Sequence, residues 1–172
     1  MPQSERHALV LGGGTMGVGI IAMFLAGGWK VDVVSRSAST REGLPAATAR
    51  ALKAMGKPED VSGLAAGATL EEVPWAKIDF VVETVTEDLA LKQKLFADME
   101  KLSRPDVPLT SNSSSFPISE IGKGLKTQSR MMGLHFFMPA HLVPLVEVVR
   151  SVHTDVALAE QVGEIMRALG KR

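Results

Sequence analysis

The sequence contains no cysteine, and only 5% of its residues are aromatic. Without cysteine, disulfides, thiolate catalysis and cysteine-based metal sites are all excluded, and a reducing compartment fits the composition. An excess of charge of one sign is also missing: 19 Lys+Arg balance 19 Asp+Glu, for a formal net charge of zero. Such a balance lacks the basic footprint of a nucleic-acid or anionic-membrane binder, so small molecules or other subunits are the expected partners. No apolar run approaches the roughly 18 residues of a membrane span. The start, Met1 to His7, is polar rather than the apolar core of a signal peptide. The expectation is a cytoplasmic protein with no membrane, nucleic-acid or metal partner. With 172 residues, 45% of them hydrophobic, the chain can bury one sizeable core, so residues 1–172 are read as one domain.

What is present is an alternation of strand and helix signals. Ala8-Leu9-Val10-Leu11 runs into a glycine cluster, and an apolar helical stretch from Met16 to Ala26 ends at Gly27-Gly28. Val31 to Val34 reads as a second strand, and Pro45 is expected to open a helix that runs to Met55. A weak strand is expected around Ala68-Thr69-Leu70 and a strong one at Ile78 to Val82. A helix follows, with apolar positions at Leu89, Leu91, Leu95, Phe96, Met99 and Leu102. Val107 to Thr110, Met131 to Phe137 and Leu145 to Val149 complete the strands, with a short helix near Ile118 to Ile121 between the first two. A last helix spans Thr154 to Leu169, capped by Thr154 or Asp155. Strands alternating with helices predict an α/β, Rossmann-type doubly wound and mostly parallel sheet with helices on both faces.

Gly12, Gly14 and Gly17 form GxGxxG directly after the first strand and at the mouth of the first helix, with Thr15 and Met16 inside the motif. Glycines there allow a tight turn, close approach of a pyrophosphate and packing of the helix on the sheet, while the helix N-terminus supplies amide donors. The end of the second strand selects the nucleotide, because a carboxylate there accepts from a ribose 2′-hydroxyl and repels a 2′-phosphate. Here that place is taken by Ser35, followed by Arg36 and Ser37, all donors suited to a phosphate. NADP is therefore favoured over NAD.

Val81-Val82-Glu83, Glu87-Asp88, Ser111-Asn112-Ser113-Ser114-Ser115, Gly133-Leu134-His135-Phe136-Phe137 and Leu145-Val146-Glu147-Val148-Val149 together resemble the 3-hydroxyacyl-CoA dehydrogenase family. The resemblance extends from the glycine loop to Ala168-Leu169-Gly170-Lys171. It implies an N-terminal NAD(P)-binding domain in which His135 is the catalytic acid/base, Glu147 orients and polarises it, and Ser114 bonds the reacting oxygen. It further implies that Asn112 lies by the nicotinamide and that Glu87 and Lys92 contact cofactor. The chemistry agrees: imidazole titrates near working pH, a carboxylate on its second nitrogen favours the imidazolium, and a hydroxyl aimed at the reacting oxygen stabilises charge there. Residue by residue, plainer readings also exist. His135 could be a core histidine, Glu147 a solvent-facing strand residue, Asn112 a turn former and Lys92 a helix-surface lysine, and Ser113 and Ser115 compete with Ser114.

The sequence departs from the family pattern at three points. Met138 stands where the family usually has asparagine after the two phenylalanines. The region between the second strand and Val81 is shorter than in fatty-acyl-CoA enzymes, and leaves Lys53 and Lys57 as a thin site for CoA phosphates. A small 3-hydroxy acid or its derivative is thus favoured over a long acyl-CoA. The resemblance also implies an all-helical domain that closes over substrate and forms a homodimer, so a truncation after Arg172 is expected. The competing functions are a non-catalytic nucleotide-binding module and a reductase of the 6-phosphogluconate or hydroxyisobutyrate dehydrogenase type, whose acid/base is a lysine of the helical domain.

Overall fold

Short strands that are apolar at every position can lie only inside a sheet covered on both faces, and the first strand shows the consequence. The structure is a computed structural model that describes residues 5–172, so the first part of the polar start read from the sequence lies outside the described residues. In β1 (His7–Leu11), Ala8 and Val10 face one layer of helices while Leu9 and Leu11 face the other, all at most 1% exposed. The remaining strands are β2 (Lys30–Val34), β3 (Leu64–Gly67), β4 (Ile78–Glu83), β5 (Leu109–Ser111), β6 (Met131–Phe136) and β7 (Val146–Val149). They form one sheet in the order β3-β2-β1-β4-β5-β6-β7. Every neighbouring pair is parallel except β6 and β7, which are antiparallel. This is the doubly wound α/β architecture expected from the alternation of strands and helices.

Helices α1 (Thr15–Ala26) and α5 (Val156–Ala168) contribute to the core on the face of Val10, Phe80 and Leu134, where Phe24 stacks within 5.6 Å of both Trp29 and Phe80. Helices α3 (Leu89–Leu102) and α4 (Ile118–Ile121) cover Leu9, Val81 and Leu109 on the other face through Phe96, Met99 and Ile121. Each fully buried side chain of this kind contributes on the order of 1.5–3 kcal/mol. The fifth helix, α2 (Ala38–Ala54), packs against α1 through Ala51 and Leu52.

Three local expectations change. Helix α2 begins at Ala38 rather than Pro45, because Ser37 caps it by accepting from Thr40 N, so Pro45 lies inside the helix. The weak strand lies at Leu64–Gly67 rather than around Ala68-Thr69-Leu70. There the Glu72 carboxylate captures the Ala68 N–H and the Thr69 hydroxyl and turns the chain into a short 3-10 segment at Leu70–Glu72. At the last helix Asp155, not Thr154, is the cap: its carboxylate accepts from Leu158 N, while the Thr154 hydroxyl donates to the Met131 carbonyl. Among the described residues no helix is long and apolar enough to cross a membrane.

Candidate active site

The chain leaves β1 for β2 on one side and returns to β4 on the other, so a crevice opens at the C-terminal ends of these strands, where doubly wound folds hold ligands. Gly12 turns the chain there with φ of 104°, a backbone conformation reserved for glycine. A Cβ on Gly12 would lie 2.7 Å from the Thr84 hydroxyl, and one on Gly17 would lie 2.1 Å from the Gly12 carbonyl oxygen. Both glycines are required by the protein itself. Gly14 is different: a Cβ there would meet nothing within 4 Å. It is also the N-cap of α1, no side chain caps that helix, and so the amides of the Thr15-Met16-Gly17 turn are open to an anion. Gly14, with Gly12, borders a cavity of about 660 Å³ whose walls are Val34, Val85, Leu91 and Leu95 and whose rim is Ser35-Arg36-Ser37. An apolar slot for a base, a polar rim for a ribose and a bare glycine turn for a pyrophosphate fit a dinucleotide. Gly14→Val is expected to weaken NAD(P)H binding at least about tenfold while the fold is kept, since a Cβ there meets no protein atom within 4 Å and the branched side chain intrudes where the pyrophosphate would approach. Parental affinity in a fluorescence titration would remove the loop from the phosphate site.

At the far side of the crevice, antiparallel pairing sets His135 of β6 directly opposite Glu147 of β7. Nδ1 of His135 lies 3.1 Å from Oε2 of Glu147, and Nε2 lies 2.9 Å from Oγ of Ser114. A carboxylate only accepts, so the Nδ1 position carries the proton and Nε2 presents its lone pair toward Ser114. The ring is a quarter exposed, and Phe137 packs edge-on against it at 4.7 Å between centroids. Ser114, His135 and Glu147 thus form one hydrogen-bonded line in which the basic nitrogen of His135 faces the Ser114 hydroxyl. Such a line can remove a proton from an alcohol and return it to a carbonyl.

The hydroxyls of Ser111 and Ser113 are engaged elsewhere. Ser111 Oγ donates to the buried Glu83 carboxylate at 2.6 Å, and Ser113 Oγ donates to Glu87 at 2.8 Å while accepting from Phe116 N. Lys92 is not a helix-surface lysine. It is 1% exposed, and its ammonium lies 2.7 Å from Oε1 of Glu83, 3.2 Å from the Val85 carbonyl and 3.7 Å from Glu87. Glu83 also accepts from Val85 N, so one buried ion pair holds the loop after β4 and the loop after β5 together. Asn112 spends its side-chain carbonyl on the Phe136 N–H, which ties the serine loop to the strand that carries His135.

Motif reading alone gave no role to three contributors. Glu83 ends the strong β4 strand and Thr84 follows it, and the Thr84 hydroxyl donates to the Leu11 carbonyl and so seats the glycine turn. Arg41 donates to the Ser35 and Arg36 carbonyls from the first turns of α2, and only the helix start at Ala38 makes that contact intelligible. Among the described residues no group of three His, Asp or Glu side chains is placed to hold a metal ion.

A family model described as 3-hydroxyacyl-CoA dehydrogenase, NAD binding domain, matches residues 7–172. The peroxisomal fatty acid beta-oxidation multifunctional protein MFP2 of Arabidopsis thaliana is 32% identical over 163 residues, which are 90% of this chain and 22% of that protein. Among solved structures, Mycobacterium tuberculosis FadB2 superposes with a TM-score of 0.89 at 30% identity, over 99% of this chain and 63% of the other. The 3-hydroxybutyryl-CoA dehydrogenase of Escherichia coli superposes with a TM-score of 0.86 at 29% identity, over 98% of this chain and 37% of the other. The chain therefore spans about a fifth of the length of MFP2 and less than two thirds of either structure.

Proposed function

The chain belongs to the 3-hydroxyacyl-CoA dehydrogenase family over its NAD(P)-binding domain, and on that premise we propose that it serves hydride transfer between a nicotinamide dinucleotide and C3 of a 3-hydroxy acid or 3-hydroxyacyl-CoA. The observation that carries this reading is the Ser114–His135–Glu147 line at the same end of the sheet, the C-terminal end of its parallel strands, as the glycine turn. The dinucleotide, when bound, supplies the hydride acceptor. His135 Nε2 takes the proton of the C3 hydroxyl, Glu147 stabilises the resulting imidazolium, and Ser114 bonds the same oxygen as its charge changes. In the reductive direction the imidazolium returns its proton to the carbonyl oxygen. Asn112 and the Glu83–Lys92 pair keep the serine loop at the distance this requires.

Small substrates are favoured within this class. Lys53, one of the two lysines left for CoA phosphates, is three-quarters exposed and pairs with Glu59 at 3.6 Å. The test is oxidation of short 3-hydroxy acids and of their CoA thioesters with each dinucleotide. Turnover of neither class would end the proposal. A helical domain beyond these 172 residues, as the resemblance implies, is proposed to close over His135 and to form the homodimer. The cytoplasmic location is likewise a proposal, in keeping with a sequence that fits a reducing compartment; MFP2 is named for the peroxisome.

NADP is the proposed dinucleotide. No carboxylate stands at Ser35-Arg36-Ser37, and Arg41 occupies the Ser35 and Arg36 carbonyls, which removes two acceptors that would oppose a phosphate. Arg36→Asp is expected to weaken NADPH binding by about tenfold or more while sparing NADH, because a donor is lost and a like charge introduced. Equal affinities for NADH and NADPH in the parent, unchanged by the substitution, would reverse the preference.

A further inference from the structure

Lys171 is 6% exposed, and only burial acts on its ammonium, holding it below the ordinary lysine range. A lysine is rarely placed this deep without a partner. Its Nζ donates to the backbone carbonyls of Ala140 and, at 2.7 Å, Val143. Both carbonyls belong to the turn that joins β6 to β7, and therefore joins His135 to Glu147. Within that turn the Pro139 carbonyl already accepts from Leu142 N and Val143 N, so Lys171 satisfies acceptors that the turn leaves over.

Two further contacts make this a clamp. Ala140 is 2% exposed and rests on α1: a Cβ on Gly19 would come within 3.0 Å of the Ala140 Cβ and 3.1 Å of the His141 backbone nitrogen. On the other side Arg172 N donates to the Pro144 carbonyl, and Val146 N donates to the Arg172 carbonyl. Val146 is the residue before Glu147. The turn is thus held between the dinucleotide helix and the residues that follow α5. His141, whose imidazole burial and the nearby Lys171 charge both keep below the usual histidine range, adds no competing cation there.

We infer that Lys171 is a positioning residue for the His135–Glu147 pair, fixing the turn so that these two side chains stay opposed. The inference depends on reading that pair as the acid–base unit. The need for a clamp follows from the geometry. Strand β7 has only four residues and lies at the sheet edge, and Glu147 is half-exposed, so its register rests on the short ladder to β6, on the buried Val146 and on the turn that leads into it. A one-residue slip would turn the carboxylate to the opposite face.

The experiment follows the His135 Nδ1–H resonance in the ¹⁵N-labelled chain, together with NADPH affinity. Glu147→Gln calibrates it: proton exchange should become faster, and no change would overturn the pairing itself and this inference with it. Lys171→Met is expected to speed exchange by about tenfold or more while NADPH affinity stays within about twofold. Lys171→Arg, which keeps donors for both carbonyls, is expected to retain the slow exchange. Unaltered exchange in Lys171→Met, with Glu147→Gln effective, overturns the Lys171 assignment alone. Should Lys171→Met fail to fold, Gly19→Ala decides, because its methyl pushes the same turn from α1 in a helix that tolerates alanine. Faster exchange there supports the clamp, and parental exchange overturns it.

Discussion

His135→Gln is expected to cut turnover of the C3 alcohol by about 10²–10⁴-fold with dinucleotide affinity kept, the range that general acid–base help supplies. Glutamine fills similar space and can still bond Ser114 or Glu147, so the loss reports proton transfer rather than a collapsed site. Glu147→Gln should lower turnover by less, since the imidazole remains but loses the carboxylate that stabilises its charged form. The double variant is the discriminating measurement. Because the two side chains act as one unit, it should be scarcely slower than His135→Gln alone, whereas independent contributions would multiply. Steady-state kinetics in whichever form of the protein turns over the alcohol provides the check. Near-parental turnover of His135→Gln would move the proton chemistry to another side chain and favour the lysine-based reductases.

Lys92→Met should be the most destabilising single change in the loops around the crevice, costing about 3–5 kcal/mol, because it leaves the Glu83 carboxylate buried and unneutralised. Methionine has comparable length and makes no cavity, so a chemical-denaturation midpoint shift would measure charge rather than volume. Glu83 still accepts from Val85 N and Ser111 Oγ, which limits the loss but does not replace the cation. Adding Glu83→Gln to Lys92→Met should recover a substantial part of the stability, since a neutral amide no longer demands the partner. If the double variant is as unstable as the single one, the pair is not what holds these loops. The same variants should weaken dinucleotide binding, because Val85 lines the cavity and Glu87 depends on this cluster.

Family and layer architecture were both legible in the sequence, for a physical reason. Strand and helix periodicities are local, and β1 through α1 reads directly as an apolar run, a glycine turn and an apolar helical stretch. The glycine spacing carries its own stereochemistry, since Gly12 and Gly17 are demanded by backbone contacts within a few residues or with the adjacent Thr84. Misread boundaries have equally local causes. Ser37 caps α2 ahead of the conspicuous Pro45, and the Glu72 side chain removes Ala68 from a strand. Neither hydrogen bond has a periodic signature.

The sequence by itself determined the alternation of elements, the glycine turn, the absence of a carboxylate after β2, and the residue types available for proton transfer. Only the tertiary structure decided how those residues meet. Five consecutive polar residues, Ser111 to Ser115, are equivalent as a string, and the fold commits Ser111 to Glu83, Ser113 to Glu87 and Ser114 to His135. The partnership of His135 with Glu147 depends on an antiparallel register across a turn that Lys171 and α1 hold. Lys92, which could as well have pointed to solvent, is drawn inside by a carboxylate on a different strand. Hydrophobic spacing selects which face of an element is buried. Which polar group finds which partner depends on desolvation and hydrogen-bond geometry between segments far apart in sequence, and those arise only when the layers have packed.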